Sequence, residues 1–213
     1  MPTPPPTRSV KIGQDERTGW SSDRPRRSGG PERPADMSVR GRVLRPSDRL
    51  RYSPGSLVYV VSASKADRDR LVERVVEDKP AVLSADRVRK LLAGRVAEEE
   101  LEERAAQLLD AAVLKRLQTG HGVVLAGDGL DSAERDRMVR LAAGLRRPRH
   151  LILVETARDQ VAQDDLPALN DLRRILDSGG MGGEGFHTAL RLGGGAVGEV
   201  KRLVFRAEQR DDD

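Results

Sequence analysis

The sequence predicts an α/β fold, three-layer α/β/α, with a mostly parallel five-stranded sheet. Three observations carry this. Short apolar runs bounded by turn residues alternate with longer stretches of helical period. The first run, Leu57–Val61 (LVYVV), is apolar on both faces, as a central strand covered on both sides must be. The chain has 213 residues, enough for one such domain and a tail.

The elements follow in order. After the strand at 57–61, Leu71, Val72, Val75 and Val76 mark a helix by their spacing. Ala81–Ser84 is a short strand behind Pro80. A helix follows to Leu92 and stops at Gly94, with Asp86 placed to cap it. Residues 97–118 form a long helix, with Leu101, Ala105, Leu108, Leu109, Ala112, Val113 and Leu117 on one face and Gly120 as its stop. Val123–Ala126 is a buried strand, and Gly127–Asp131 is a turn. Ser132 opens a helix to about Leu145. Leu151–Glu155 is a further strand. A helix after Asp164 and Asp165 carries Leu166, Leu169, Leu172, Ile175 and Leu176. Residues 202–206 are the expected last strand of the sheet. The Gly-rich stretch 178–198 reads as a β-hairpin or flap.

Composition bounds the rest. Residues 1–46 hold eight of the twelve prolines among Ser, Gly and Arg clusters, a mixture too poor in apolar surface to order itself. We therefore expect a disordered Pro/Arg-rich tail over 1–45, a folded domain over 46–206 and an acidic tail over 207–213. Residues 1–50 carry eleven Lys/Arg and six Asp/Glu, net +5; the remainder carries 27 and 28, net −1. The basic character thus belongs to the tail, which makes nucleic acid a candidate partner there. With no cysteine, disulfides and thiol chemistry are excluded, and with His121, His150 and His187 far apart in sequence no metal site is expected. No apolar run approaches the ~20 residues of a membrane helix and no signal-peptide pattern opens the chain, so the expected location is the cytoplasm, without a membrane partner.

The segment after the first strand carries the most chemistry. Strand, eight residues and helix is the frame in which a G-x-x-x-x-G-K-[ST] loop cradles phosphates. In that register Ser62 and Asp67 stand at the two glycines, Arg68 at the lysine and Asp69 at the Ser/Thr that holds magnesium. Glycine lets the backbone aim several N–H groups at one phosphate; Ser62 and Asp67 restore a Cβ. Asp67 and Asp69 also add negative charge at a helix N-terminus, the place an anion would occupy. An ordinary strand–turn–helix explains the same residues.

With these residues in place, the chain resembles P-loop kinase-like proteins of the polynucleotide kinase and small-molecule kinase group, over about 57–177. The likeness rests on the segment 57–69; on Val82-Leu-Ser-Ala-Asp-Arg-Val-Arg89 with Leu91–Gly94; on Gly120–Leu130 with its Arg-bearing helix; and on Leu151–Glu155. The resemblance implies a P-loop NTPase-like fold. It places Asp86 at the general base for a substrate hydroxyl and Arg89 at the acceptor-side arginine; as a helix N-cap, Asp86 is explained equally well. The donor side departs from the pattern at Ser62, Asp67, Arg68 and Asp69. It departs again at Ala126 and Gly129, where an Asp and an Asn are due, and in a lid bearing Asp159, Asp164 and Asp165 with Arg158. Phosphoryl transfer depends on cations around the phosphates, and here carboxylates replace them.

The resulting expectation is a kinase-like protein with a degenerate Walker A loop, non-catalytic and without a cofactor, acting as a binding or scaffolding module for a protein or an acceptor-type ligand. The alternative is an ATP- and magnesium-dependent kinase for the hydroxyl of a polynucleotide end or small molecule, with Lys65 or Arg68 on the phosphates and Asp86 as base.

Overall fold

A computed structural model describes residues 37–130 and 132–206. In chain order the elements are β1 Arg42–Leu44, β2 Arg49–Tyr52, β3 Leu57–Ser62, α1 Lys65–Val75, β4 Val82–Ser84, α2 Ala85–Leu92 and α3 Glu98–Gln118. They continue with β5 Val123–Ala126, α4 Ser132–Gly144, β6 Arg149–Val154, α5 Leu166–Asp177, β7 Thr188–Leu192, α6 Gly195–Glu199 and β8 Arg202–Phe205.

Six strands form one sheet in the order β1-β7-β6-β3-β5-β4, every pair parallel. β3 lies inside it, between β6 and β5, and all six of its residues are buried, as its apolar pattern requires. Alternate residues feed two cores. Leu57, Tyr59 and Val61 join Leu125, Leu151 and Leu153 beneath α2 to α5, through Val88, Leu109, Met138 and Leu169. Val58 and Val60 join Val124, Ile152 and Leu190 on the other face, beneath Leu71, Val72 and Val75 of α1. That second face is completed by a two-stranded parallel ribbon of β2 and β8, whose Leu50, Tyr52 and Leu203 point inward. The result is a mixed α/β domain with a parallel six-stranded sheet between two covering layers.

Three expectations are corrected. Residues 202–205 are not a strand of the main sheet: they pair with 49–52 in the ribbon, and Val76 bridges to Leu203. The main-sheet position belongs to β7, which lies within the stretch read as a flap. Its glycines flank a strand instead of building a hairpin, and its Ala189, Leu190 and Leu192 are buried. Finally, the structured chain begins before residue 46. Residues 42–44 pair with 188–190, the Val39 N–H donates to Gly182 O (2.9 Å), and Met37 packs on the first core. Gly182 permits that approach, because a Cβ there would overlap the Val39 carbonyl. The rest of the expected tail, 1–36, and the acidic tail 207–213 lie outside the described residues.

Candidate functional site

The sequence-predicted residues converge at the carboxyl ends of β3, β4 and β5. In open parallel sheets this is where ligands bind. How they arrive there differs from the expectation in three respects.

The first concerns the eight-residue loop. β3 runs through Ser62 and α1 starts at Lys65, leaving only Ala63 and Ser64 between them. Ser64 is the N-cap: its hydroxyl accepts from the Asp67 N–H at 3.2 Å. The buried Ser62 hydroxyl pairs with Thr156 Oγ1 at 3.0 Å, tying the end of β3 to the segment after β6, and the Ser64 N–H donates to both oxygens at 3.2 Å. Two backbone donors of this turn, the Ser64 and Asp67 N–H groups, are engaged with hydroxyls.

The second concerns Arg68 and Asp69. Arg68 does not face solvent; its side chain is 1% exposed. It donates to the carbonyl oxygen of Gly127, to Asp69 (2.8 Å) and to Asp86 (3.5 Å). Asp69 neither caps α1 nor sits at a phosphate position: Ser64 caps, and the exposed Asp69 carboxylate holds the guanidinium of Arg68. Gly127 is required where it stands, since a Cβ would overlap the Tyr59 ring.

The third concerns Asp86. Ser84, not Asp86, caps α2, accepting from the Arg87 N–H at 3.2 Å. The Asp86 carboxylate is therefore free to meet Arg89 at 2.9 Å, Arg68 at 3.5 Å and Lys65 at 3.7 Å.

Sequence reasoning placed Asp128 only within the Gly127–Asp131 turn and singled out neither Glu102 nor Glu134. Asp128 lies two residues beyond the end of β5 and pairs with Lys65 and with Arg89 (2.5 Å). Glu102 of α3 takes Arg89 through both oxygens, at 2.8 and 2.9 Å. Glu134 of α4 accepts from Tyr59 Oη (2.6 Å) and from the Asp128 N–H (2.7 Å), fixing the turn. The Gly-Asp-Gly turn after an apolar strand was the available signal for Asp128; nothing local marks Glu102 or Glu134. Burial pushes the Asp128 carboxyl upward, but hydrogen bonds from Lys65 and Arg89 outweigh it and hold the group below the usual range. Arg89 is pushed upward, chiefly by Glu102 and with Asp128 adding, against the opposing effect of burial. Lys65, Arg68 and Arg89 are thus each paired within a set of four carboxylates, Asp69, Asp86, Glu102 and Asp128, which leaves one negative charge in excess. A cleft of about 180 Å³ opens beside them, lined by Ala85, Arg89, Glu102, Leu109, Asp128 and Arg137.

In place of the expected lid there are two 3-10 turns, Arg158–Gln160 and Gln163–Asp165, with Arg158, Asp159 and Asp164 exposed. Arg173, the next basic residue, grips Glu155, which Arg191 also holds at 2.5 Å. A mixed-charge cavity of about 350 Å³ lies beside Glu155, Asp67, Arg70 and Gly194. His150 of β6 and His187, just before the neighbouring β7, are brought close although distant in sequence. His150 Nδ1 lies 2.7 Å from Thr188 Oγ1, and His187 Nδ1 accepts from the Arg149 N–H. Among the described residues no group of three or more His, Asp or Glu could hold a metal ion, and no helix is long and apolar enough to cross a membrane. On the donor side, the start of α1 at Lys65 and the hydroxyls of Ser62, Ser64 and Thr156 stand where the eight-residue loop was expected.

No family model matches the sequence, and no curated protein matches it. Among solved structures the chain is similar to the tunicamycin resistance protein of Deinococcus radiodurans, at a TM-score of 0.36 and 15% identity, covering 64% of this chain and 85% of that one. A likeness this low is a weak relationship of fold and carries nothing about the site.

Proposed function

We propose that this chain is a non-catalytic binding module on a kinase-like α/β frame, and that its ligand site is the cleft between α2, α3 and the β5–α4 turn. The observation that carries the reading is the closed ion-pair cluster: Lys65, Arg68 and Arg89 each already hold a carboxylate. A phosphate entering there displaces Asp86 or Asp128 from partners that cost free energy to strip. The cleft offers a small ligand an apolar wall in Ala85 and Leu109 and two paired guanidinium groups, Arg89 and Arg137.

A second reading is favoured by one observation, the convergence of Lys65, Asp86, Arg89 and Asp128 at a single point. An ATP-dependent kinase would use Lys65 on the phosphates and Asp86 as base. The discriminating experiment is ATP turnover with magnesium, in the presence of polynucleotide ends and of small hydroxyl acceptors. The binding-module reading expects no ADP above the uncatalysed rate. Phosphoryl transfer that is abolished by Asp86→Asn would replace it with the kinase reading.

A further inference from the structure

At the opposite edge of the sheet the charge is not neutralised. Between Met37 and Ser56 the chain carries Arg40, Arg42, Arg45, Arg49 and Arg51 against a single acid, Asp48. All five arginines are exposed. Only Arg49 has a carboxylate within 4 Å among the described residues, that of Asp48 at 3.9 Å. The contrast with Lys65, Arg68 and Arg89, each bound to acids, is sharp.

The backbone explains why these side chains point outward together. Gly41 faces the protein, where a Cβ would overlap the Gly182 backbone, so its neighbours Arg40 and Arg42 face away on alternate positions. β1 is the outermost strand of the sheet, and Arg40, Arg42, His187 and Thr188 line an open groove of about 570 Å³. β2 is one edge of the ribbon. Its Leu50 and Tyr52 are buried, so Arg49 and Arg51 stand on its solvent side. Two i, i+2 pairs on extended chain therefore anchor their arginines at Cα positions roughly 6.6 Å apart. That is the scale of neighbouring phosphates along a nucleic-acid strand.

We propose that the edge formed by β1 and β2 binds the sugar–phosphate backbone of single-stranded nucleic acid without reading its sequence. Arginine supplies planar forks that grip phosphate through two hydrogen bonds. The patch has no exposed aromatic on which bases could stack, so binding is electrostatic and independent of sequence. Val43 is its only exposed large hydrophobic group, too little for insertion into a bilayer. This site is distinct from the cleft proposed above and stands or falls separately.

The test is fluorescence anisotropy of a labelled oligodeoxythymidylate with the full chain, titrated between about 50 and 200 mM salt. The parent is expected to bind with affinity falling steeply as salt rises. The variant Arg40→Gln, Arg42→Gln, Arg49→Gln, Arg51→Gln should bind at least tenfold more weakly, and its log–log salt slope should be smaller by about 2.8, at about 0.7 per lost phosphate contact. The corresponding four-lysine variant should keep most of the parent's slope, which separates loss of charge from loss of fold. Parent-like binding by the glutamine variant overturns the proposal. So does loss of binding in Arg24→Gln, Arg26→Gln, Arg27→Gln with the β1–β2 variant unaffected, which would place the contact in the N-terminal segment. Binding to phosphatidylserine vesicles or polyglutamate but not to the oligonucleotide overturns it as well.

Discussion

Arg68 is the bulkiest fully buried side chain among the described residues, and it shows how the site works as structure. A guanidinium withdrawn from water must satisfy its donors, and Arg68 does so on the Gly127 carbonyl, Asp69 and Asp86. Arg68→Ala leaves that carbonyl unpaired, deletes packing and frees Asp86. We predict a loss of about 3 kcal/mol of unfolding free energy, read from urea denaturation. His150 gives a second residue-scale prediction. Burial, with His187 and Arg149 adding, lowers its pKa to about 4. Its folded pKa is below the unfolded value, so the neutral imidazole's contribution is present above about pH 6.5 and is lost as pH falls through about 4. Thermal melts should show stability falling across that window, and His150→Phe should flatten the fall. An unchanged slope in the variant would place the titration elsewhere.

At the scale of elements, two serines start helices whose first turns also carry aspartates. Ser64→Ala should cost about 1 kcal/mol, because it strips the cap from α1. Asp86→Asn should leave α2 capped and act only on the ion pairs that Asp86 makes with Lys65, Arg68 and Arg89. Helical circular dichroism of the two variants distinguishes these outcomes. The elements also mark what was legible in the sequence. β3, β5 and β6 are apolar on both faces, and α3 and α5 carry a helical apolar stripe, so their positions followed from pattern. β7 was hidden because glycines on both sides of Thr188–Leu192 look like a flexible loop, although its buried residues fit a strand. β8 was recognised as a strand, but pattern alone does not name a partner, and its partner β2 carries arginines at every outward position. Within the site, Lys65, Arg68, Asp86 and Arg89 were legible as chemistry-bearing types. Their pairing with one another was not, because it depends on where α1 starts, and that is set by the Ser64 cap.

For the whole molecule, the folded body includes chain that composition assigns to the tail. Met37, Val39 and β1 are fastened to the Gly182 region and to β7. Removing residues 1–45 should therefore lower the unfolding free energy by about 2 kcal/mol or more relative to removing 1–36, as apolar contacts and strand hydrogen bonds are lost. Equal midpoints for the two truncations would contradict the packing. The molecule then has a polarised layout: a cluster of paired cations and carboxylates at the carboxyl ends of β3 to β5, and a row of exposed arginines along β1 and β2, of which only Arg49 meets a carboxylate among the described residues. In the function we propose, the pairing of these cations with carboxylates, not the loss of any single motif residue, separates this frame from a phosphate-binding one.

The most direct test of that central claim is isothermal titration of the full chain with magnesium-ATP at millimolar concentration. A site already filled by the Ser64 cap, the Ser62–Thr156 pair and the Lys65–Asp128–Arg89 ion pairs should give no binding heat. A saturable isotherm tighter than about 100 μM, weakened by Lys65→Ala, would contradict it.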